Sequence, residues 1–337
     1  MTPTSGSSVV PVAETDLFLI GLRRSGIHAI VSWLIPHLSG VTRLINDHDF
    51  HFDGQLAPIE GLPTAYFQSR AGKAEEFLPG PDVERMANDY IAETTMRFLE
   101  QTPAILRPFV ASVMRKYRRF RRTGFERYVP IPYDAANRSF LANTNLFVIE
   151  NMSIDEFVGQ HARWREEVYR PYLATLGMVP APRVRIVQPM REPWNQLASL
   201  IKNPPSRPPR VIPPEGFLAA WLDYAREFAG RTRRLAEQGE VLSVSYPKWF
   251  SDASYRVELA ARLGVEPTDS GLNVVANFGG GSSFDGQRMT GRAQAMKVSE
   301  RWRAYADHPL MRDLCGNAEV RELSREIFGC DAPGNPA

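Results

Sequence analysis

The residues best suited to chemistry lie early in the chain, between residues 16 and 38. An apolar segment, 17–20, leads into the turn Gly-Leu-Arg-Arg-Ser-Gly at 21–26 and then into a helical pattern. Two glycines at this spacing let backbone N–H groups converge on an anion at a helix N-terminus. The adjacent guanidinium groups would repel each other without such an anion. The turn therefore predicts a phosphate-binding loop whose ligands are Arg23, Arg24, Ser25 and Gly26.

The two residues after this turn argue against a nucleotide-hydrolysing loop. Such loops continue with Lys and Ser/Thr, whose hydroxyl binds Mg²⁺. Here the two positions are Ile27 and His28. Because the usual magnesium ligand is missing, the sequence favours a donor nucleotide whose reaction needs no metal, and sulfuryl transfer fits better than phosphoryl transfer.

A second element joins the loop to a known family. Arg191 and Ser199 stand eight residues apart, the first after a predicted strand and the second on the next helix. The loop and this pair resemble the sulfotransferases that use 3′-phosphoadenosine 5′-phosphosulfate (PAPS). In that family the loop, usually Lys-Ser-Gly-Thr-Thr, binds the 5′-phosphosulfate, and an arginine and a serine eight apart bind the 3′-phosphate. Ser25, Gly26, Arg191 and Ser199 match that pattern.

The resemblance implies PAPS as cofactor, adenosine 3′,5′-bisphosphate as product and no metal. Arg24 replaces the usual lysine. The positive charge is kept, but a planar guanidinium with several N–H donors takes the place of a compact ammonium group. Arg24 is the residue expected to act on charge developing during transfer. Ile27 still offers a backbone N–H, and His28 is expected to bind the phosphosulfate through its ring.

A late glycine-rich segment, 279–297, resembles the loop that closes over the 3′-phosphate and adenine in such enzymes. Its candidate ligands are Ser283 and Arg292. The competing interpretation is an ordinary surface loop before a helix.

Sulfuryl transfer to an alcohol or amine needs a general base near the acceptor. Glu150, at the end of an apolar strand, and His48, after the second strand, are the leading candidates, followed by Asp47 and Asp49. His28 is interpreted as a ligand rather than a base. The residue patterns do not choose between Glu150 and His48.

Alternating strands and helices predict a three-layer α/β/α fold with a central parallel sheet, P-loop-like, carrying a helical insertion. Residues 1–15 are expected to form a disordered lead-in, and 16–330 a single domain with the insertion at about 60–141. Strands are predicted at 17–20, 42–46, 145–150, 184–188 and 241–245. Helices are predicted at 28–38, 154–176, 194–202, 217–237, 251–263, 293–305 and 319–328, with Gly264 ending the fifth.

The composition narrows the class of protein. With 40 basic against 38 acidic residues, the chain lacks the global charge of a non-specific nucleic-acid binder. Two cysteines are too few to form a disulfide framework for 337 residues. No apolar run approaches the ~20 residues that a membrane-spanning helix needs. We therefore expect a cytoplasmic protein with no transmembrane segment and no nucleic-acid partner.

The acceptor is less defined by the sequence. Seven basic residues at 115–127 are interleaved with aromatic ones, which is typical either of an anion-binding stripe or of a solvated helix face. An anionic glycan and a small hydroxylated metabolite both stay open as acceptors, and the oligomeric state is not indicated. The alternative functions are a P-loop kinase or NTPase, and a non-catalytic nucleotide- or polyanion-binding protein of the same fold.

Overall fold

The computed structural model describes residues 10–11, 14–38, 41–45, 76–79, 144–171, 178–204, 212–275, 281–331 and 333. Within these, the strands are β1 (Val10–Pro11), β2 (Thr15–Gly21), β3 (Val41–Ile45), β4 (Glu76–Pro79), β5 (Thr144–Glu150), β6 (Met178–Val179), β7 (Arg183–Met190) and β8 (Glu240–Ser245). The helices are α1 (Ile27–Leu34), α2 (Ile154–Trp164), α3 (Pro193–Lys202), α4 (Phe217–Phe228), α5 (Tyr246–Ser251), α6 (Ala253–Leu263), α7 (Pro309–Gly316) and α8 (Ala318–Phe328).

The main sheet has the order β4-β3-β5-β2-β7-β8, and β1 pairs with β6 separately. All neighbours from β3 to β8 are parallel, whereas β4 runs antiparallel at the edge. Parallel neighbours bring their carboxyl ends to one side, so the segments that follow β2, β5, β7 and β8 meet there.

Two hydrophobic cores cover the two faces of this sheet. Leu17 and Leu19 pack with α1, α5 and α6, whereas Phe18 and Ile20 pack with α2, α3, α4, α7 and α8. Successive side chains of a strand point to opposite faces, so a continuous apolar run is stable only when both faces are covered. The predicted three-layer α/β/α fold is confirmed.

Several predicted helices end early for identifiable reasons. The predicted helix 217–237 stops at Phe228, because Gly230 adopts a left-handed φ of 72°, and a short 3₁₀ turn follows at Leu235–Glu237. The predicted helix 251–263 is confirmed as α6, which begins at Ala253 because the Asp252 side chain caps it by accepting from Ser254 and Tyr255 N–H. The short helix α5, which ends at Ser251, was not predicted. The helix predicted at 28–38 ends at Leu34 and continues as a 3₁₀ turn to His37.

Two other predictions were wrong. Residues 293–305 do not form one helix but two 3₁₀ turns, Ala293–Ala295 and Arg301–Tyr305, and α7 was not predicted at all. Glu76–Pro79, inside the insertion predicted to lie apart from the sheet, pairs with β3 as an edge strand. The rest of segment 60–141 lies outside the described residues, and the single-domain boundary stays a prediction.

Candidate functional site

The turn between β2 and α1 forms a strained, backbone-lined cradle. Arg24 has a φ of 69° and Gly26 a φ of 91°, and Ser25 N–H donates to Leu22 O at 3.1 Å. A non-glycine residue in the left-handed region costs free energy and persists where surrounding contacts enforce it. Gly26 is the N-cap of α1 and supplies no side-chain cap, so the cradle opens onto a helix N-terminus.

Gly26 is required by close packing as well as by its φ. A Cβ at this position would lie 2.1 Å from the ring of Tyr246, the first residue of α5. The tyrosine ring therefore rests directly on the backbone of the cradle. Any side chain at residue 26 would displace either the ring or the turn.

Contacts from two other strand ends hold the cradle in place. Asn151, which follows β5, accepts from Arg23 N–H through Oδ1 at 2.9 Å, and its own N–H donates to Gly21 O at 3.0 Å. Gln196 of α3 donates to Arg23 O at 2.8 Å, and Arg191 Nη1 donates to Arg24 O at 3.3 Å. The predicted loop and the predicted Arg191 are therefore in direct contact.

Arg191 and Ser199 are also brought together, and a third residue joins them. Arg191 Nη1 lies 3.5 Å from Ser199 Oγ, and Arg301 Nη1 donates to the same Oγ at 3.3 Å. Arg301 Nη2 donates to Ser282 Oγ at 2.8 Å, and Arg191 is stacked over the Tyr246 ring at 5.2 Å. Two guanidinium groups thus share one buried hydroxyl.

The cluster of arginines is electrostatically unfavourable as it stands. Burial, with the positive charge of Arg191 as the next cause, lowers the pKa of Arg301 to about 10. Burial also lowers the pKa of Arg24, against the attraction of Glu150. Cations held out of water with too little opposite charge favour any anion that enters.

Three buried donor atoms around the cradle have no hydrogen-bond partner among the residues that the structure describes. They are Arg24 Nε, Ser25 Oγ and Arg191 Nε. Buried polar groups in native proteins are nearly always paired, so orphaned donors at one place indicate a missing acceptor. All three belong to residues that the sequence predicted as ligands.

One cavity of about 250 Å³ is bounded by these elements. Its polar lining combines the cradle with Glu150, Arg191, Arg301 and the turn 281–283. The rest of its wall is largely apolar and comes from α5 and the segments after α6: Tyr246, Trp249, Phe250, Leu272, Val274, Val275, Ala293 and Met296. A polar end and an aromatic–aliphatic wall are typical of small-molecule and cofactor sites.

Glu150 lies at the edge of the cradle. Its Oε2 accepts from Arg23 Nε at 3.2 Å, and its Oε1 lies 3.8 Å from His28 Nδ1. The Glu150 and His28 side chains are 9% and 18% exposed, and both residues line the cavity.

The predicted site residues divide into four groups. Those that line the cavity are Arg23, Arg24, Gly26, Ile27, His28, Glu150, Arg191 and Ser283. Ser25 and Ser199 are buried next to them, with Ser199 Oγ 3.5 Å from Arg191 Nη1. Arg292 is exposed and does not line the cavity. His48, Asp47, Asp49 and the basic segment 115–127 lie outside the described residues, so their roles stay predictions.

Sequence reasoning missed Arg301 and Tyr246. Arg301 was counted as part of a helix, although it follows the glycine-rich segment by a few residues and belongs to the short run Ser-Glu-Arg-Trp-Arg. Tyr246 directly follows β8, at the end of the sheet where sites form. Polar and aromatic residues just after each strand were the available signal.

No known protein-family profile and no curated protein sequence matches this chain. Two solved sulfotransferase domains align with it. The domain from the olefin synthase of Synechococcus PCC 7002 has a TM-score of 0.42 and 12% identity, covering 98% of this chain and 99% of that one. The domain from the curacin biosynthetic pathway has a TM-score of 0.35 and 13% identity, covering 94% and 98%.

Two further findings concern the described part of the chain. Among its helices, none is both long and apolar enough to cross a bilayer. It also contains no group of three or more His, Cys, Asp or Glu arranged to hold a metal ion. The cytoplasmic location and the metal-independent reaction stay predictions.

Proposed function

We propose that this protein is a sulfotransferase that moves the sulfuryl group of PAPS to a hydroxyl, or as second choice an amine, of a carbohydrate or small-molecule acceptor. The observation that carries the proposal is the set of three donors without a described partner: Arg24 Nε and Arg191 Nε, which belong to residues that line the cavity, and Ser25 Oγ, in the turn between Arg24 and Gly26. Donors from two separate chain segments favour a ligand with two anionic groups.

The residues fit such a donor at both of its ends. On the 5′ side the ligands are the cradle residues, with the backbone N–H of Ile27 and the N-terminus of α1 favouring negative charge. On the 3′ side they are Arg191, Ser199, Ser283 and Arg301, of which Arg301 is new relative to the sequence. The apolar wall that includes Trp249 suits a flat purine ring.

The chemistry required of the chain is limited. When bound, PAPS supplies an activated sulfuryl group on a phosphate leaving group. Arg24 neutralises negative charge that develops beside the cradle. A side chain near the acceptor must take the proton, and Glu150 and His28 both line the cavity.

Calorimetry with adenosine 3′,5′-bisphosphate and adenosine 5′-phosphate tests the proposal. Each charge-assisted hydrogen bond to the additional phosphate is worth about 1.5–3 kcal/mol, so two or more of them should make the bisphosphate bind more tightly by roughly a hundredfold or more. The binding should persist in EDTA. Equal affinity for the two nucleotides, or preferred binding of ATP with Mg²⁺, would refute the assignment and favour an NTPase-like protein. Tight bisphosphate binding without turnover of PAPS across a broad acceptor panel would instead support a non-catalytic binding protein.

A further inference from the structure

We propose that His28 is the proton acceptor of this site and that Glu150 orients it. This inference rests on the proposed function and names the base that the function requires. It reverses the roles expected from the sequence, in which Glu150 was a candidate base and His28 a ligand of the phosphosulfate.

The sheet itself brings the two residues together. In the parallel pairing of β2 with β5, Gly21 is the register partner of Glu150, so the end of β5 lies beside the cradle. His28, the second residue of α1, lies seven positions beyond Gly21, past the turn. The resulting distance from His28 Nδ1 to Glu150 Oε1 is 3.8 Å, with both side chains lining the same cavity.

The surroundings of Glu150 make it a poor direct base. Its other oxygen, Oε2, accepts from Arg23 Nε at 3.2 Å. Protonation of the carboxylate would remove the negative charge that faces this guanidinium. Arg24 is a second cation whose charge Glu150 supports. The carboxylate is therefore already engaged as the partner of two cations.

The same carboxylate faces the imidazole of His28. A carboxylate beside one ring nitrogen holds the proton there and leaves the other nitrogen as the acceptor, and it stabilises the imidazolium that forms. Nδ1 of His28 is the nitrogen facing Glu150, so Nε2 is the atom assigned to take the proton. An arrangement of base and orienting carboxylate recurs in many nucleophile-activating sites.

The proposed step balances. His28 Nε2 takes the proton of the acceptor O–H as the acceptor oxygen forms its bond to sulfur. The bond between sulfur and the bridging oxygen breaks, and its electron pair leaves on the phosphate of adenosine 3′,5′-bisphosphate. No oxidant, reductant or metal is consumed.

Nitrogen-15 NMR of histidine-labelled protein tests the pair without any turnover. The chain has six histidines, so the His28 signals are assigned by their absence in His28→Gln. The neutral ring should be the Nδ1–H tautomer in the wild type and should shift towards Nε2–H in Glu150→Gln, and Glu150→Asp should restore part of the original signal. A dominant Nε2–H tautomer in the wild type would overturn the inference.

Binding and turnover separate this inference from the function on which it rests. His28→Gln should bind adenosine 3′,5′-bisphosphate within twofold of wild type, yet convert PAPS, with water as acceptor, at least 100-fold more slowly, since general bases contribute about 10²–10⁴-fold. His308→Asn, which keeps an N-cap on α7, is the matched control and should leave both unchanged. The inference would be overturned if His28→Gln bound the bisphosphate tenfold more weakly than wild type. It would also be overturned if His28→Gln turned over PAPS normally while Glu150→Gln was inactive. Failure of the wild type to prefer the bisphosphate refutes the proposed function instead.

Discussion

Two arginines of this chain, Arg234 and Arg301, show opposite uses of the same side chain. Arg234 binds three carboxylates: Asp155 and Asp223, each at 2.8 Å, and Glu227 at 3.3 Å. Burial opposes its charge, yet hydrogen bonds to Asp223 and Asp155 outweigh that cost and raise its pKa. Among the described residues, Arg301 has one carboxylate within ion-pair distance, Asp285 at 3.6 Å, and burial lowers its pKa to about 10.

The difference lies in where the chain supplies opposite charge. Arg234 links Asp223 and Glu227 of α4 to Asp155 of α2, and these carboxylates neutralise its charge. Arg301 lies beside Arg191 and Ser199. Its positive charge is poorly compensated there, so it can attract an anionic ligand. A buried cation without a matched anion costs stability, so such a group is retained for binding rather than for folding.

Removing the proposed 3′-phosphate ligands should have the largest effect on ligand binding. Arg191→Ala combined with Ser199→Ala should weaken adenosine 3′,5′-bisphosphate binding by about 3 kcal/mol or more, roughly two orders of magnitude in Kd, because charge-assisted hydrogen bonds are lost. Calorimetry measures this directly. Arg226→Ala, which breaks a surface pair with Glu319, is the control and should bind normally. A double variant with wild-type affinity would remove these residues from the site.

The next test compares how much each of the two arginines contributes to the stability of the fold. Arg234→Met should lower the free energy of unfolding by about 2–4 kcal/mol, because Glu227 is buried and would lose its cation. Arg301→Met should change it by less than about 1 kcal/mol, since removing a poorly compensated buried charge offsets the lost contacts. Urea denaturation measures both variants. Arg163→Met, which breaks an exposed helix pair with Glu167, should leave the unfolding midpoint unchanged. Equal destabilisation by both buried-site variants would contradict the distinction.

The smallest effect concerns pH. The pKa of Arg301 is about 10 in the protein alone, and a bound anion raises it, so the ligand prefers the protonated guanidinium. Bisphosphate affinity should therefore be flat from pH 8 to 9 and fall by up to about tenfold per pH unit once the pH passes 10. Fluorescence-detected titrations at these pH values measure the slope. Arg301→Met should bind more weakly but with a shallower decline, and an identical slope in both proteins would assign the titration to another group.

Local sequence patterns predicted most of the elements that carry the site. The apolar runs at 17–20 and 145–150 gave buried parallel strands, since only a sheet covered on both faces tolerates such runs. Gly264, with a φ of 71°, ended α6 as predicted. The prediction failed at 293–305, where the helical pattern is overridden by contacts across the cavity: Arg301 bonds to Ser199 and Ser282, and Trp302 N–H donates to Asn195.

The phosphate-binding turn could be predicted from the sequence alone. Its glycines, arginines and following helix are neighbours in the chain, so their conformations depend on local sterics. The sequence also paired Arg191 with Ser199, through their spacing across one strand end and one helix. Only the tertiary structure decided that Glu150 faces His28 and Arg23, and that Arg301 joins Arg191. These residues are about 100 positions or more apart, so strand order and register, not spacing, set their distances.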